Sequence, residues 1–250
     1  MRRRFFVDNF SHGAARMEGA AAHHLANVLR AEPGQLYELS DGRELFLARV
    51  ERVARDRVEF ALVEPLPAPA PQPQVTLLLS LVKFDRFEWA LEKATELGAE
   101  IVIPLAAERS EKRLIEAAVK RADRWNKILL ESAQQARCLR PPQLQLAQRP
   151  ADAFRAQDAG IRILLSERPQ APPLRQLFEA QSAQRQNDNA SVPAKIALAV
   201  GPEGGWTDAE FAAATAAGFS EASLGDLILR TETAAIAALS AALFYFQSAK

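Results

Sequence analysis

The chain has 250 residues, enough for two modest domains or one large one, and its 48% apolar and 25% charged content is that of an ordinary globular protein. Its 31 basic and 31 acidic residues cancel, which argues against a generic polyanion binder, and its single cysteine, Cys138, excludes an intrachain disulfide and a cysteine-rich metal site. No apolar run approaches the roughly 20 residues of a membrane-spanning helix, and Met1-Arg2-Arg3-Arg4-Phe5-Phe6-Val7 meets charge at Asp8 instead of an apolar signal core, so an uncleaved cytoplasmic protein is expected.

From the N-terminus, Phe5–Val7, Leu36–Leu39, Leu45–Val50 and Arg57–Val63 are short strand-like runs, and Asp41-Gly42 suits a tight hairpin between two of them. One helix is expected over about Ala20–Leu29, giving a small β-barrel with a single helix. His23 and His24 have no Cys or His partner at metal-ligand spacing and read as structural or surface residues, and no metal is expected. The prolines of 65–73 forbid helix and favour a stiff, extended spacer, so a boundary is drawn there between a domain at 1–66 and another at 74–250.

Beyond the spacer, buried strands are predicted at Val75–Leu81, Ile101–Leu105, Ile161–Leu165 and Lys195–Val200. They alternate with helices at Phe87–Leu97, Ala122–Ala136 and Thr231–Phe246, the signature of a parallel α/β sheet. Residues 105–140 hold nine Lys and Arg against five acids, which suits either a phosphate-contacting face or a solvated helix surface. Cys138 reads as a filler on a helix face, and the polar 181–193 stretch as a surface loop.

Two segments carry the functional signal. In Ala197–Glu210 an apolar strand delivers Gly201-Pro202-Glu203-Gly204-Gly205 into a helix whose start is fixed by a Thr207/Glu210 capping box. Such a loop at the carboxyl end of a sheet strand is where open α/β proteins bind ligands, although alone it is also compatible with a tight turn. It lacks the GxGxxG spacing of a dinucleotide site and the Gly-Lys-Ser/Thr of a P-loop, which sets a nucleotide-binding Rossmann enzyme aside. In Leu224–Ala235 a second glycine turn leads to Arg230-Thr231-Glu232-Thr233 at the mouth of the C-terminal helix. Capping and dipole complementation explain each of these residues singly, but not two glycine loops closing consecutive strands.

Together, GPEGG at Gly201–Gly205 and LG-x-x-ILRTETA at Leu224–Ala234 resemble the ribosomal RNA small subunit methyltransferase E family of the SPOUT superfamily. Arg3–Val7, His24–Arg30, Glu92–Gly98, Glu108–Ser110 and Arg124–Ile128 extend the resemblance over essentially the whole chain. The resemblance implies a PUA-like β-barrel that binds RNA, followed by a SPOUT α/β domain with a trefoil knot, assembled as a homodimer. It implies S-adenosylmethionine (SAM)-dependent methylation of N3 of a uridine in 16S ribosomal RNA, within the small ribosomal subunit. Relatives in the same fold act on tRNA or a ribose 2′-hydroxyl, and a non-catalytic RNA-binding protein is the alternative from another class.

The family's cofactor pocket maps onto Leu165 and Ser166, onto Val200, Gly201, Gly204 and Gly205, and onto Leu224, Gly225, Leu229, Arg230, Thr231, Glu232, Thr233 and Ala234. N3 of uridine carries a proton and is a poor nucleophile until that proton leaves. Arg230 is the candidate to stabilise the resulting anion, and Glu232 and Glu203 are candidate bases or orienting groups. Candidate RNA contacts are Arg3, Arg4, Arg30, Arg109, Lys112, Arg137 and Arg140. The chain departs from the family at Leu227, where Arg or Lys is common, and at Gln134 and Cys138, where the family shows Glu and Arg.

Overall fold

The computed structural model describes residues 4–67, 70, 72–187 and 192–247, in two compact units: one built from 1–69 and 133–141, the other from 70–132 and 142–250. None of the helices over the described residues is long and apolar enough to cross a membrane.

The first unit begins with β1 (Arg4–Phe6), β2 (Phe10–Ser11), β3 (Ala14–Glu18) and α1 (Gly19–His23), which runs on into a π-helical turn at His24–Val28. β4 (Leu36–Ser40), β5 (Leu45–Val53) and β6 (Arg57–Pro65) complete a six-stranded sheet of order β1-β4-β5-β6-β3-β2, parallel only between β1 and β4. The expected Asp41-Gly42 hairpin joins β4 to β5, with Asp41 Oδ1 accepting from the backbone N–H groups of Arg43 and Glu44. β2 and β3 escaped the sequence reading because Ala15 and Met17 give β3 only two buried apolar positions. Phe5, Leu25, Leu39, Val50, Val58 and Phe60 form the core under the helix.

In the second unit come β7 (Gln74–Ser80), α2 (Phe84–Glu96), β8 (Ala99–Leu105), α3 (Lys112–Ala118) and α4 (Ala122–Ala136), of which 122–132 belong to this unit. There follow β9 (Gln143–Leu144), α5 (Pro150–Arg155), β10 (Ile161–Leu165), α6 (Leu174–Asn187), β11 (Lys195–Val200), α7 (Asp208–Ala216), β12 (Ser220–Ala222) and α8 (Thr231–Phe246). The sheet is wholly parallel, in the order β12-β10-β11-β7-β8-β9.

Its strands are apolar on both faces, and the two-residue period sorts their side chains into two cores. Val75, Leu77 and Leu79 of β7 and Ile196, Leu198 and Val200 of β11 meet Phe87, Leu91, Trp125 and Leu239 on one face. Leu78, Ala197 and Ala199 meet Phe154, Trp206 and Phe219 on the other. α8 buries Ala235, Ala238 and Ala242, whose small side chains let it lie close on the sheet.

Two expectations need correction. The polar stretch from 181 is helical through Asn187, because Leu174 and Phe178 anchor α6 to the core and the polar turns simply continue it; residues 188–191 lie outside the described residues. Cys138 is two residues beyond the end of α4, after Arg137 in the left-handed region at φ 56°, and so is not on a helix face. Burial pushes its thiol above the ordinary cysteine range, which disfavours the reactive thiolate.

Candidate functional site

β10, β11 and β12 run in the same direction, so the segments leaving them emerge at one edge of the sheet. β10 lies between the other two. With parallel neighbours spaced about 4.8 Å apart, the loops after β11 and β12 stand about 10 Å apart, flanking the loop after β10. A cavity of about 690 Å3 opens there, within the usual size range of small-molecule sites.

Loop 201–205 forms one wall. Its fold follows from two glycines and a tryptophan. Gly205 has φ +68°, and its N–H donates to the Pro202 carbonyl at 2.8 Å, closing a turn that an L side chain would strain. A Cβ on Gly201 would come within 3.1 Å of the Trp206 indole. That indole is buried beneath the loop, and its Nε1–H donates to the Leu165 carbonyl at 2.9 Å, tying the ends of β10 and β11 together.

The predicted capping box is present: Thr207 Oγ1 accepts from the Glu210 backbone, and Glu210 Oε2 accepts from the Thr207 N–H at 2.8 Å. The second oxygen of Glu210 accepts from the Glu108 N–H at 2.9 Å, so one buried carboxylate anchors both α7 and the loop after β8. This explains why a glutamate can sit in the core at 8% exposure.

The segment 223–230 and the first turn of α8 form the opposite wall. Thr231 Oγ1 donates to the Gly201 carbonyl at 2.9 Å and joins the two loops directly. Arg230 occupies the N-cap position of α8, is exposed, and takes part in no ion pair among the described residues. The two nearby carboxylates are engaged elsewhere: Arg86 of α2 pairs with Glu203 and has its Nε 3.9 Å from Glu232 Oε1. Glu232 is buried, and its Oε2 has no hydrogen-bond partner among the described residues.

The cavity is lined by Leu165, Ser166, Val200, Gly201, Gly204, Gly205, Leu224, Gly225, Leu229, Arg230, Thr231 and Ala234, and also by Glu203. Glu232 and Thr233 do not line it. At about 100° per residue, positions 231 and 234 share the cavity face of α8, and 232 and 233 turn away into a second recess of about 670 Å3.

The basic residues separate by environment. Arg109 is at the cavity, its Nη1 donating to the Gly204 carbonyl at 2.7 Å. Arg4 is not available to a phosphate: it is buried, paired to Glu38 at 2.9 Å and hydrogen-bonded to the Arg137 carbonyl. Arg137 approaches the same Glu38 at 3.6 Å, which makes this a structural cluster of the first unit. Arg30, Lys112 and Arg140 are exposed. Arg3 lies outside the described residues.

Sequence reasoning missed Arg168, Phe211 and Asp208. Arg168 stacks on the Phe211 ring 3.4 Å from its centroid and pairs with Asp208 at 2.7 Å, closing the side of the cavity beside Ser166. The available signal was position: Arg168 follows a strand end by three residues, and Asp208 and Phe211 lie in the first turns of a capped helix.

The RNA methyltransferase domain family matches residues 68–243. The ribosomal RNA small subunit methyltransferase E of Synechocystis sp. is 33% identical over 88% of this chain and 70% of its own length. The Bacillus subtilis protein of the same name is 32% identical over 89% of this chain and 87% of its own length. The crystal structure of a Neisseria gonorrhoeae ribosomal RNA small subunit methyltransferase E bound to S-adenosyl methionine superposes with a TM-score of 0.80, at 28% identity over 96% of each chain. With a cavity walled by both motif loops and relatives matched along nearly its whole length, the chain belongs to the ribosomal RNA small subunit methyltransferase E family.

Proposed function

We propose that this protein transfers the methyl group of SAM to N3 of a uridine in 16S ribosomal RNA. The carrying observation is the cavity between the two glycine loops, with an exposed arginine on its wall that takes part in no ion pair among the described residues. The residues present suit the cofactor. Gly201 has no side chain to fill the space over Trp206, and the backbone of 201–205 and 224–230 offers donors and acceptors to an adenosine. When bound, SAM supplies an electrophilic methyl group for in-line displacement, so orientation of the reactants accounts for much of the rate.

The chain's own contribution to the chemistry is proton removal and charge stabilisation. Loss of the N3 proton leaves negative charge on the uracil oxygens, and the Arg230 guanidinium stays charged and offers several donors to it. The target base must be unpaired or everted to be reached, because N3 is hidden within a base pair.

The first unit is proposed as a PUA-like barrel that holds RNA; exposed Arg30 supports this, whereas the balance of ten arginines and ten acids over 1–66 does not. The second is proposed as a SPOUT domain whose 223–230 segment and α8 complete a trefoil knot, supported by the bond from Thr231 to the Gly201 loop. A homodimer acting on the small ribosomal subunit in the cytoplasm completes the proposal. Incubating the protein and SAM with small subunits from cells lacking it, then digesting the RNA for mass spectrometry, is expected to yield 3-methyluridine. A 2′-O-methylated nucleoside, or no methylated product, would contradict the assignment.

A further inference from the structure

Arg230 lines both the cofactor cavity and the second recess, and each space holds a glutamate as well, Glu203 in the first and Glu232 in the second. Two carboxylates therefore share space with the guanidinium that the proposed chemistry needs free. Among the described residues neither is paired with it, and both stand with Arg86 instead. We propose that Arg86 is a positioning residue for methyl transfer: it holds Glu203 away from Arg230, so that the Arg230 guanidinium stays open to the uracil oxygens. The inference rests on the reading of Arg230 as the group that stabilises the uracil anion, and it adds what keeps that group available.

Competition for Arg230 follows from where these side chains are rooted. The bond from Thr231 to the Gly201 carbonyl joins the two segments one residue after Arg230 and two before Glu203, which puts the two side chains within a long arginine's reach of each other. A guanidinium and a carboxylate at a partly enclosed site attract strongly and can bond through two parallel N–H groups. With no other cation to engage it, Glu203 would close on Arg230. An arginine held in that way has fewer donors and less net charge to offer a developing anion.

Arg86 is placed to prevent this. It stands in the first turn of α2, whose Phe87 and Leu91 are buried in the same core as Leu239 of α8, so its backbone is fixed relative to the helix that Arg230 caps. Its side chain is 24% exposed, between Glu203 at 50% and Glu232 at 10%. Glu232 Oε1, 3.9 Å from Arg86 Nε, is the inner counter-charge, while Arg86 Nη1 engages Glu203 on the outer side. A buried carboxylate left without a cation is costly, so Glu232 retains Arg86 at its post. Asp85, the third acid on the recess, is exposed, where water and salt screen its charge. The device is one of charge bookkeeping: Arg86 answers the two glutamates, and Arg230 is left over for the substrate.

The test uses full-length protein with small ribosomal subunits from cells lacking it, and follows kcat for methyl transfer beside SAM affinity by calorimetry. Arg86→Ala is expected to lower kcat about tenfold or more, with SAM affinity within about threefold of wild type. Arg86→Gln, which keeps more of the side chain should the alanine variant fold poorly, is expected to show the same loss. Two further variants separate this role from simple support of the loop. Adding Glu203→Gln to either Arg86 variant removes the competing charge and is expected to recover most of the lost kcat. Adding Arg86→Gln to Arg230→Ala is expected to slow it by less than about twofold more, since Arg86 acts through Arg230. Wild-type kcat in both Arg86 variants overturns the proposal. So does a loss that Glu203→Gln leaves in place, that follows from weakened SAM binding, or that adds in full to the loss in Arg230→Ala. Near-normal turnover in Arg230→Ala ends the underlying reading and this inference with it; an inactive Arg230→Ala beside fully active Arg86 variants ends the inference alone.

Discussion

Replacing Arg230 by alanine is expected to reduce methyl transfer by at least 10²- to 10³-fold, as removal of one preorganised donor to a developing anion does in other enzymes. SAM affinity and unfolding midpoint should stay close to wild type. The structure gives the reason for this separation. The side chain is exposed and joined to no carboxylate among the described residues, so no folded-state pairing is lost with it. Its backbone starts α8, and alanine preserves that backbone. Single-turnover transfer to small ribosomal subunits, run beside calorimetric titration with SAM, checks both halves. Near-normal turnover would remove Arg230 from the chemistry; a parallel loss of SAM affinity would make it a cofactor ligand instead.

The second large effect is on stability. Trp206→Ala removes a 5%-exposed indole that packs edge-on to Phe154 at 5.8 Å and supports Gly201 from below. Large-to-small changes of this kind cost about 3–5 kcal/mol. The Leu165 carbonyl also loses its donor, adding about 1 kcal/mol or more. Denaturant unfolding is expected to show a loss of about 4 kcal/mol or more, with SAM binding lost as well, because the loops after β10 and β11 share this one side chain. Trp206→Phe should restore much of the packing but not the hydrogen bond. An alanine variant of wild-type stability would mean that the loop is shaped without the indole.

The parts of this architecture that were legible in the sequence are those written by strong local patterns. β7, β10 and β11 are predominantly apolar, the Thr207/Glu210 box fixes the start of α7, and Asp41-Gly42 fixes a hairpin. Elements that rest on tertiary support were not. α6 is polar over most of its length and is held by Leu174 and Phe178, and β12 is three residues that gain a ladder only beside β10.

The site divides the same way. Glycines and the residues next to them pointed to the cavity walls, since a loop that needs positive φ or close approach must carry glycine. Which face of α8 each residue takes was not apparent from the motif, so Glu232 and Thr233 were grouped with Thr231 and Ala234 although they face the other recess. Arg86 was invisible for a further reason: it lies more than a hundred residues from its partners, and no local pattern announces a long-range ion pair.

Everything proposed for the chemistry depends on the cofactor occupying the space between the glycine loops. The most direct measurement is a crystal structure of the protein grown with SAM. The account predicts the adenosine between 201–205 and 224–230, in hydrogen-bonding reach of backbone groups there, with the sulfonium toward Arg230. SAM bound elsewhere on the chain, or a protein that takes up none at millimolar concentration, would contradict it.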